Sequence, residues 1–84
     1  MFQKYTSVPT QIEAIQLSRL NLPTVFLALE GQHEVTAELG EPAIQLTTVH
    51  GDKVTARLTD WIVKDAVKGT YYPVRDDVFR AKYV

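Results

Sequence analysis

Apolar and polar residues alternate along most of this chain, which predicts a series of short β-strands. Residues 11–18 place Ile12 and Ala14 on one face of a strand, whereas Ile15 and Leu17 fall on the opposite face. Such a change of phase predicts either a β-bulge or a strand that is buried on both faces.

Residues 21–31 carry the pattern of a helix of two to three turns. Asn21 is a favourable N-cap, and Pro23 is tolerated in a first turn because its missing N–H would be unpaired there. Gly31 suits the left-handed position just after the helix. A helix this short needs packing against a sheet for its stability. The apolar stripe that would face the sheet consists of Leu22, Val25, Phe26 and Leu29.

The alternation resumes after the helix in residues 33–39 and is interrupted at residues 40–42. Residues 43–49 and 53–58 alternate again, and Gly51-Asp52 between them is suited to a two-residue turn. We therefore predict an antiparallel hairpin over residues 43–58.

Two further strands are predicted near the C-terminus, at residues 60–66 and 69–74, with a turn at Lys68-Gly69. Asp60 is suited to a turn, and Pro73 marks a strand end or edge because it has no N–H to donate. Residues 75–84 fit either a helical turn or an edge strand. In the helical case Asp76 or Asp77 supplies the cap, and Phe79 and Tyr83 are neighbours at i and i+4.

These elements predict an α+β fold in one domain spanning residues 1–84. Its expected form is a small curved antiparallel meander of about five or six strands, packed against one short helix. A chain of 84 residues can bury one core.

Composition excludes several classes of function. The chain has no cysteine, so it forms no disulfide, thiolate zinc site or cysteine nucleophile. Nine basic and ten acidic residues give a net charge of −1, which argues against binding to duplex DNA. No apolar run approaches the roughly 20 residues that cross a bilayer, and the first residues lack the pattern of a signal peptide. We therefore expect a cytoplasmic protein.

Catalytic groups are sparse. His33 and His50 fall in predicted loops without a neighbouring acid or base, and their spacing does not suit a metal site. The few glycines form no loop that would hold phosphate. We therefore expect no enzymatic activity, no cofactor and no metal.

Residues 58–75 concentrate aromatic and basic side chains. Alternation places Trp61 and Val63 on one face and Ile62 and Lys64 on the other, and it separates Tyr71 from Tyr72. One interpretation is cross-strand packing, with Trp61 or Ile62 opposite a tyrosine and one of the tyrosines in the core. A second is a surface that stacks a base and neutralises phosphate, and a third is a protein-binding edge. The candidate binding residues are Trp61, Lys64, Lys68, Tyr71, Tyr72 and Arg75.

The C-terminal half resembles a group of small bacteriophage proteins without an assigned activity. Their sequences end in the pattern GDWIIKGxxGExYPxxxDxFxxxY, and they begin with a Tyr and a Pro that lead into a V-E-A strand. Here Tyr5, Pro9 and residues 12–14 match the start. Thr59 and Asp65 depart from glycines of the pattern. The matching C-terminal residues are Asp60, Trp61, Ile62, Lys64, Gly69, Tyr72, Pro73, Asp77, Phe79 and Tyr83.

The resemblance implies a phage or prophage origin and action in the host cytoplasm. It favours an accessory protein that works by stoichiometric binding in counter-defence or host takeover. Two modes are open: the protein sequesters a small anionic nucleotide, at an interface between copies, or it blocks a host defence protein through an exposed sheet edge. The alternative is a minor structural or housekeeping phage protein with no ligand. Self-association is expected in either mode, since small domains without disulfides are marginally stable.

Overall fold

The computed structural model describes residues 2–7, 10–29, 33–48, 50–64 and 69–83. Strands and two short helices make up most of this part of the chain. In chain order they are β1 (Gln3–Ser7), β2 (Thr10–Gln16), α1 (Leu22–Ala28), β3 (Glu34–Glu38), β4 (Glu41–Thr47), β5 (Lys53–Ala56), β6 (Trp61–Lys64), β7 (Tyr71–Val74) and α2 (Asp76–Lys82).

The strands lie in two antiparallel sheets. A four-stranded sheet has the order β1-β2-β6-β7, and a three-stranded sheet has the order β3-β4-β5. β5 lies beside β7 where the two sheets meet. The predicted α+β fold, with antiparallel strands and a short helix, is confirmed. The described strands number seven rather than five or six. They do not form one meander, because β2 pairs directly with β6, and the three strands of the other sheet lie between these two in the sequence.

The phase change in the first predicted strand reflects burial on both faces. Residues 13–16 of β2 pair with residues 64–61 of β6 without interruption, so no bulge separates the two halves. Ile12 and Ala14 are buried against α2, whereas Leu17 is buried on the side of α1 and the three-stranded sheet. Strand β1 was not predicted, because its sequence QKYTS shows no apolar alternation.

Two clusters of buried side chains form on opposite faces of the four-stranded sheet. The first draws on both sheets and α1, and consists of Leu17, Leu22, Val25, Ile44, Leu46, Ala56, Ile62 and Tyr71. The second lies beneath α2 and consists of Ile12, Ala14, Trp61, Val63, Phe79 and Tyr83.

Helix α1 begins after Asn21 as predicted, but the Asn21 side chain does not cap it. Its Oδ1 accepts a hydrogen bond of 2.8 Å from the Ser18 N–H, and its Nδ2 donates one of 2.8 Å to the Gln16 carbonyl. The side chain therefore holds the loop before the helix instead of the first turn. The helix ends at Ala28, and the predicted terminal Gly31 lies outside the described residues.

The hairpin over residues 43–58 is confirmed, but its turn is longer than two residues. The Thr48 N–H donates to the Asp52 carbonyl at 2.8 Å, and the Gly51 N–H donates to the Thr48 carbonyl at 3.0 Å. Gly51 has φ +84°, a conformation that glycine adopts without strain.

A second hairpin joins β3 to β4 where the sequence predicted only an interruption. Glu38 pairs with Glu41, so the connection is the two residues Leu39-Gly40, with φ 53° and 79°. Two successive positive φ angles define a type I′ turn, which favours Asn-Gly. Pro42 is accommodated within β4.

The closing segment is helical over Asp76–Lys82, which excludes the predicted edge strand. Neither predicted aspartate caps it. Arg75 occupies the N-cap position, and Asp76 and Asp77 lie in the first turn. The Phe79 and Tyr83 rings meet as predicted, with centroids 4.9 Å apart. No helix in the described ranges is long and apolar enough to span a bilayer.

Candidate binding surface

Trp61 attaches helix α2 to the four-stranded sheet. Its buried indole stacks on the Phe79 ring, with centroids 3.9 Å apart and an angle of 5° between the planes. The indole Nε1–H donates a hydrogen bond of 2.8 Å to Oδ1 of Asp76. Stacking and hydrogen bonding together fix the indole between sheet and helix, so its role in this fold is to hold the two together.

The Asp76 carboxylate accepts hydrogen bonds from both Trp61 and Arg80 at this attachment. The hydrogen bond from the Trp61 indole holds the pKa of its carboxyl below the ordinary value, and partial desolvation opposes this effect. Arg80 lowers the pKa further through its Nε, which donates to Asp76 Oδ1 at 2.8 Å. The charged carboxylate is therefore the form that the folded chain favours.

The two adjacent tyrosines have different environments. Tyr71 is buried in the first cluster, where its ring lies 5.9 Å from Phe2 and 5.6 Å from His33 between centroids. Tyr72 projects from the opposite face and is 36% exposed. The prediction that one tyrosine lies in the core and the other outside is confirmed.

The predicted pairing of Trp61 or Ile62 with a tyrosine is wrong. Trp61 lies opposite Val74, and Ile62 lies opposite Pro73. The tyrosines instead pair with Val63 and Lys64. The register is two residues away from the one that would place an aromatic ring opposite the indole.

The two candidate basic residues that the structure describes lie on different elements. Lys64 is half-buried on the face of Tyr71, with its Nζ 6.0 Å from that ring's centroid. Arg75 precedes α2, and its Nη2 lies 3.4 Å from Oδ2 of Asp77. Lys68 lies outside the described residues.

The five predicted binding residues that the structure describes therefore do not share one surface. Lys64 and Tyr71 belong to one face of the four-stranded sheet, and Trp61 and Tyr72 belong to the other. Exposed side chains remain at Tyr72 and Arg75.

Asp60 closes the turn that precedes Trp61, as the sequence predicted. Its N–H donates to the Arg57 carbonyl, and its Oδ2 accepts from the Arg57 N–H, both at 3.0 Å. Thr59 occupies the third position with φ 76°. A positive φ at this position alone is typical of a type II turn, which favours glycine. Glycine would adopt this φ without strain.

The two histidines have different environments. The Nδ1 of His33 accepts a hydrogen bond of 3.2 Å from the Thr47 N–H, and His50 is exposed in the turn of the β4–β5 hairpin. No group of three or more metal-ligating side chains occurs within the described residues.

Strand β3 presents a surface that the sequence did not reveal. It is paired with β4 on one side, and no other described strand pairs with its second side. Its apolar residues are exposed: Val35 at 51% and, in the following turn, Leu39 at 83%. Alternation indicated a strand here but not its position at the edge. One unusual feature is visible in the sequence: Leu39 stands before Gly40 at a turn position where type I′ turns favour Asn.

Two hollows share Leu58 in their walls, and one of them adjoins the end of β3. One, of about 220 Å³, lies between the β3–β4 turn and Arg57-Leu58. The other, of about 430 Å³, lies between Leu58-Thr59 and residues 16–19. The two non-glycine residues with positive φ in the described ranges, Leu39 and Thr59, each line one of them. Strained backbone of this kind is often retained at functional positions.

Comparison with protein-family models, with curated proteins and with solved structures gave no match to this chain.

Proposed function

We propose that this chain is a phage-encoded accessory protein that binds a host protein stoichiometrically through the edge of strand β3. The observation that carries the proposal is the second side of β3, which no described strand covers and which displays Val35 and Leu39. The phage origin and the host context are supported by the resemblance of the segment from Asp60 to Tyr83 to the phage pattern.

Strand addition explains how this edge would bind. An edge strand presents unpaired N–H and C=O groups, and a partner strand satisfies them by continuing the ladder. Side chains that alternate along the edge then provide specificity. Val35 and Ala37 supply an apolar row, and Leu39 extends this apolar surface to the turn.

The alternative mode, sequestration of an anionic nucleotide, has less support. Stacking of a base needs an accessible ring face, and the Trp61 and Tyr71 rings are buried. Tyr72 and Arg75 are the exposed candidates in the described part of the chain, and Arg75 is already paired with Asp77. We therefore favour a protein partner.

The test is affinity capture from host lysate with matched surface variants. Val35→Glu places a charge on the edge, and Val78→Glu is its control, because Val78 is 49% exposed on α2. The proposal predicts one stoichiometric partner, captured by the wild type and by Val78→Glu and lost with Val35→Glu. Thermal unfolding of both variants confirms that they are folded.

Two results would contradict the proposal. One is recovery of the bait alone by the wild-type chain. The other is a partner retained equally by both variants. A thermal shift with a nucleotide panel, lost on Tyr72→Ala, would instead support the nucleotide mode.

A further inference from the structure

The outer strand β3 is acidic as well as apolar. Glu34 and Glu38 lie on the same face of the strand, four residues apart, and both are exposed. Neither carboxylate has an ion-pair partner within the ranges that the structure describes. Glu41 differs, because Arg19 Nη2 lies 3.8 Å from its Oε2.

We propose that the segment which adds to β3 is an extended, basic strand, with Lys or Arg at two positions four residues apart and apolar residues between them. This inference rests on the proposed function and specifies its partner. Side chains directly opposite each other in an antiparallel ladder have Cβ atoms about 4.5–5.5 Å apart. Basic residues opposite Glu34 and Glu38 would therefore form cross-strand ion pairs.

The spacing of the basic residues follows from strand geometry. Residues i and i+4 of an extended strand are about 13–14 Å apart and point to the same side. Glu34 and Glu38 are likewise residues i and i+4 of β3. The two intervening residues that point to the other face would lie beside Val35 and Ala37, so apolar residues suit those positions.

The same geometry disfavours a second copy of this chain at β3. An in-register antiparallel pair centred on Thr36 would place Glu34 of each copy opposite Glu38 of the other. Like charges directly opposite each other destabilise a sheet. An in-register pairing of two copies through β3 is therefore disfavoured.

The test uses two fluorescein-labelled peptides that differ only in charge. One carries the core Lys-Val-Thr-Val-Lys and the other Glu-Val-Thr-Val-Glu, and binding to the intact protein is followed by anisotropy. At about 50 mM NaCl we expect the basic peptide to bind at least about tenfold more tightly, and at about 500 mM NaCl we expect the ratio to shrink.

A charge-reversal variant identifies the site. Glu34→Lys combined with Glu38→Lys should reverse the preference between the peptides. The control combines Asp52→Lys with Asp77→Lys, which changes the net charge by the same amount at two exposed positions outside β3. This control should keep the preference for the basic peptide.

Three results would overturn this inference: no binding of the basic peptide, equal binding of both peptides, or a preference that survives charge reversal on β3. Self-association abolished by Val35→Glu would also overturn it. These results are separable from failure of the proposed function. If capture depends on Val35 but the peptides bind equally, the edge binds a partner and charge does not select it.

Discussion

Replacement of Leu39 by Asn should stabilise the free protein. Leu39 occupies the first central position of the β3–β4 turn with φ 53°. A left-handed conformation costs an ordinary L-residue about 1–2 kcal/mol, and Asn tolerates it better. Because Leu39 is 83% exposed, truncation forfeits only about one sixth of the roughly 1.5–3 kcal/mol that full burial of leucine provides.

The backbone strain that is relieved exceeds the burial that is lost, so the variant should be more stable than the wild type. We expect Leu39→Asn to raise the free energy of unfolding by roughly 0.5–1 kcal/mol, or Tm by about 2–8 °C for a domain of this size. The assay is equilibrium denaturation followed by the fluorescence of Trp61, the only tryptophan in the chain. Its stack on Phe79 is lost on unfolding, so the emission reports the transition.

Leu27→Asn is the matched control. Leu27 is 82% exposed but lies within helix α1. Asn is a poorer helix former than Leu by about 0.5 kcal/mol, so this variant should lose stability. If Leu39→Asn were neutral or destabilising, the argument from backbone strain would be refuted.

The same substitution connects stability to function. If Leu39 is retained because a partner contacts it, Leu39→Asn should bind the partner more weakly although it is more stable. A gain in stability accompanied by weaker binding is the trade-off expected where strain is kept for function. Unchanged binding would remove Leu39 from the proposed interface.

Three further predictions concern the attachment of α2 and the turn before β6. Thr59→Gly should raise the free energy of unfolding by about 0.5–1 kcal/mol, since glycine adopts φ 76° without strain, and loss of stability in urea unfolding would argue against this. Asp76→Ala should destabilise the protein at neutral pH. The folded pKa of Asp76 is lowered, so the stability contributed by its charge is complete above the ordinary value of about 4 and is lost as pH falls through the folded pKa. The difference in stability from wild type should therefore shrink in acid, and a difference that stays constant with pH would contradict the assignment. Native Trp61 should emit at shorter wavelength than in the unfolded chain and resist iodide quenching, whereas strong quenching would show an exposed indole.

Local features of the fold were predictable from local sequence. Asp60 closes its turn, and Tyr71 and Tyr72 separate to opposite faces, because both outcomes depend on residues close in the chain. The phase change at Ile15 indicated either a bulge or burial on both faces, and the strand is buried on both faces.

Long-range relationships were not predictable in the same way. Alternation defines the faces of a strand but not its neighbours, so the pairing of β2 with β6 and the division into two sheets remained hidden. The partner of Trp61 is likewise distant in sequence, since Phe79 reaches it only when α2 folds onto the sheet. Because of this contact, the Trp61 ring lies in the core and does not offer the accessible face that a stacked base would need.

The candidate site was missed for a related reason. Val35 alternates with polar residues as a core residue would, and only the sheet order shows that its strand lies at an edge. Thr59 offered a partial signal, because it stands where the pattern that the sequence resembles has glycine, and it has a positive φ.

Site-specific photo-cross-linking shows directly whether strand β3 contacts a host partner. A photoreactive phenylalanine analogue placed at Val35 in the outer strand, or at Val78 as the equally exposed control, is activated in host cells that produce the protein. Binding through β3 predicts one adduct of defined size from position 35 and none of that size from position 78. An adduct that forms equally from both positions, or only from position 78, would contradict binding through β3.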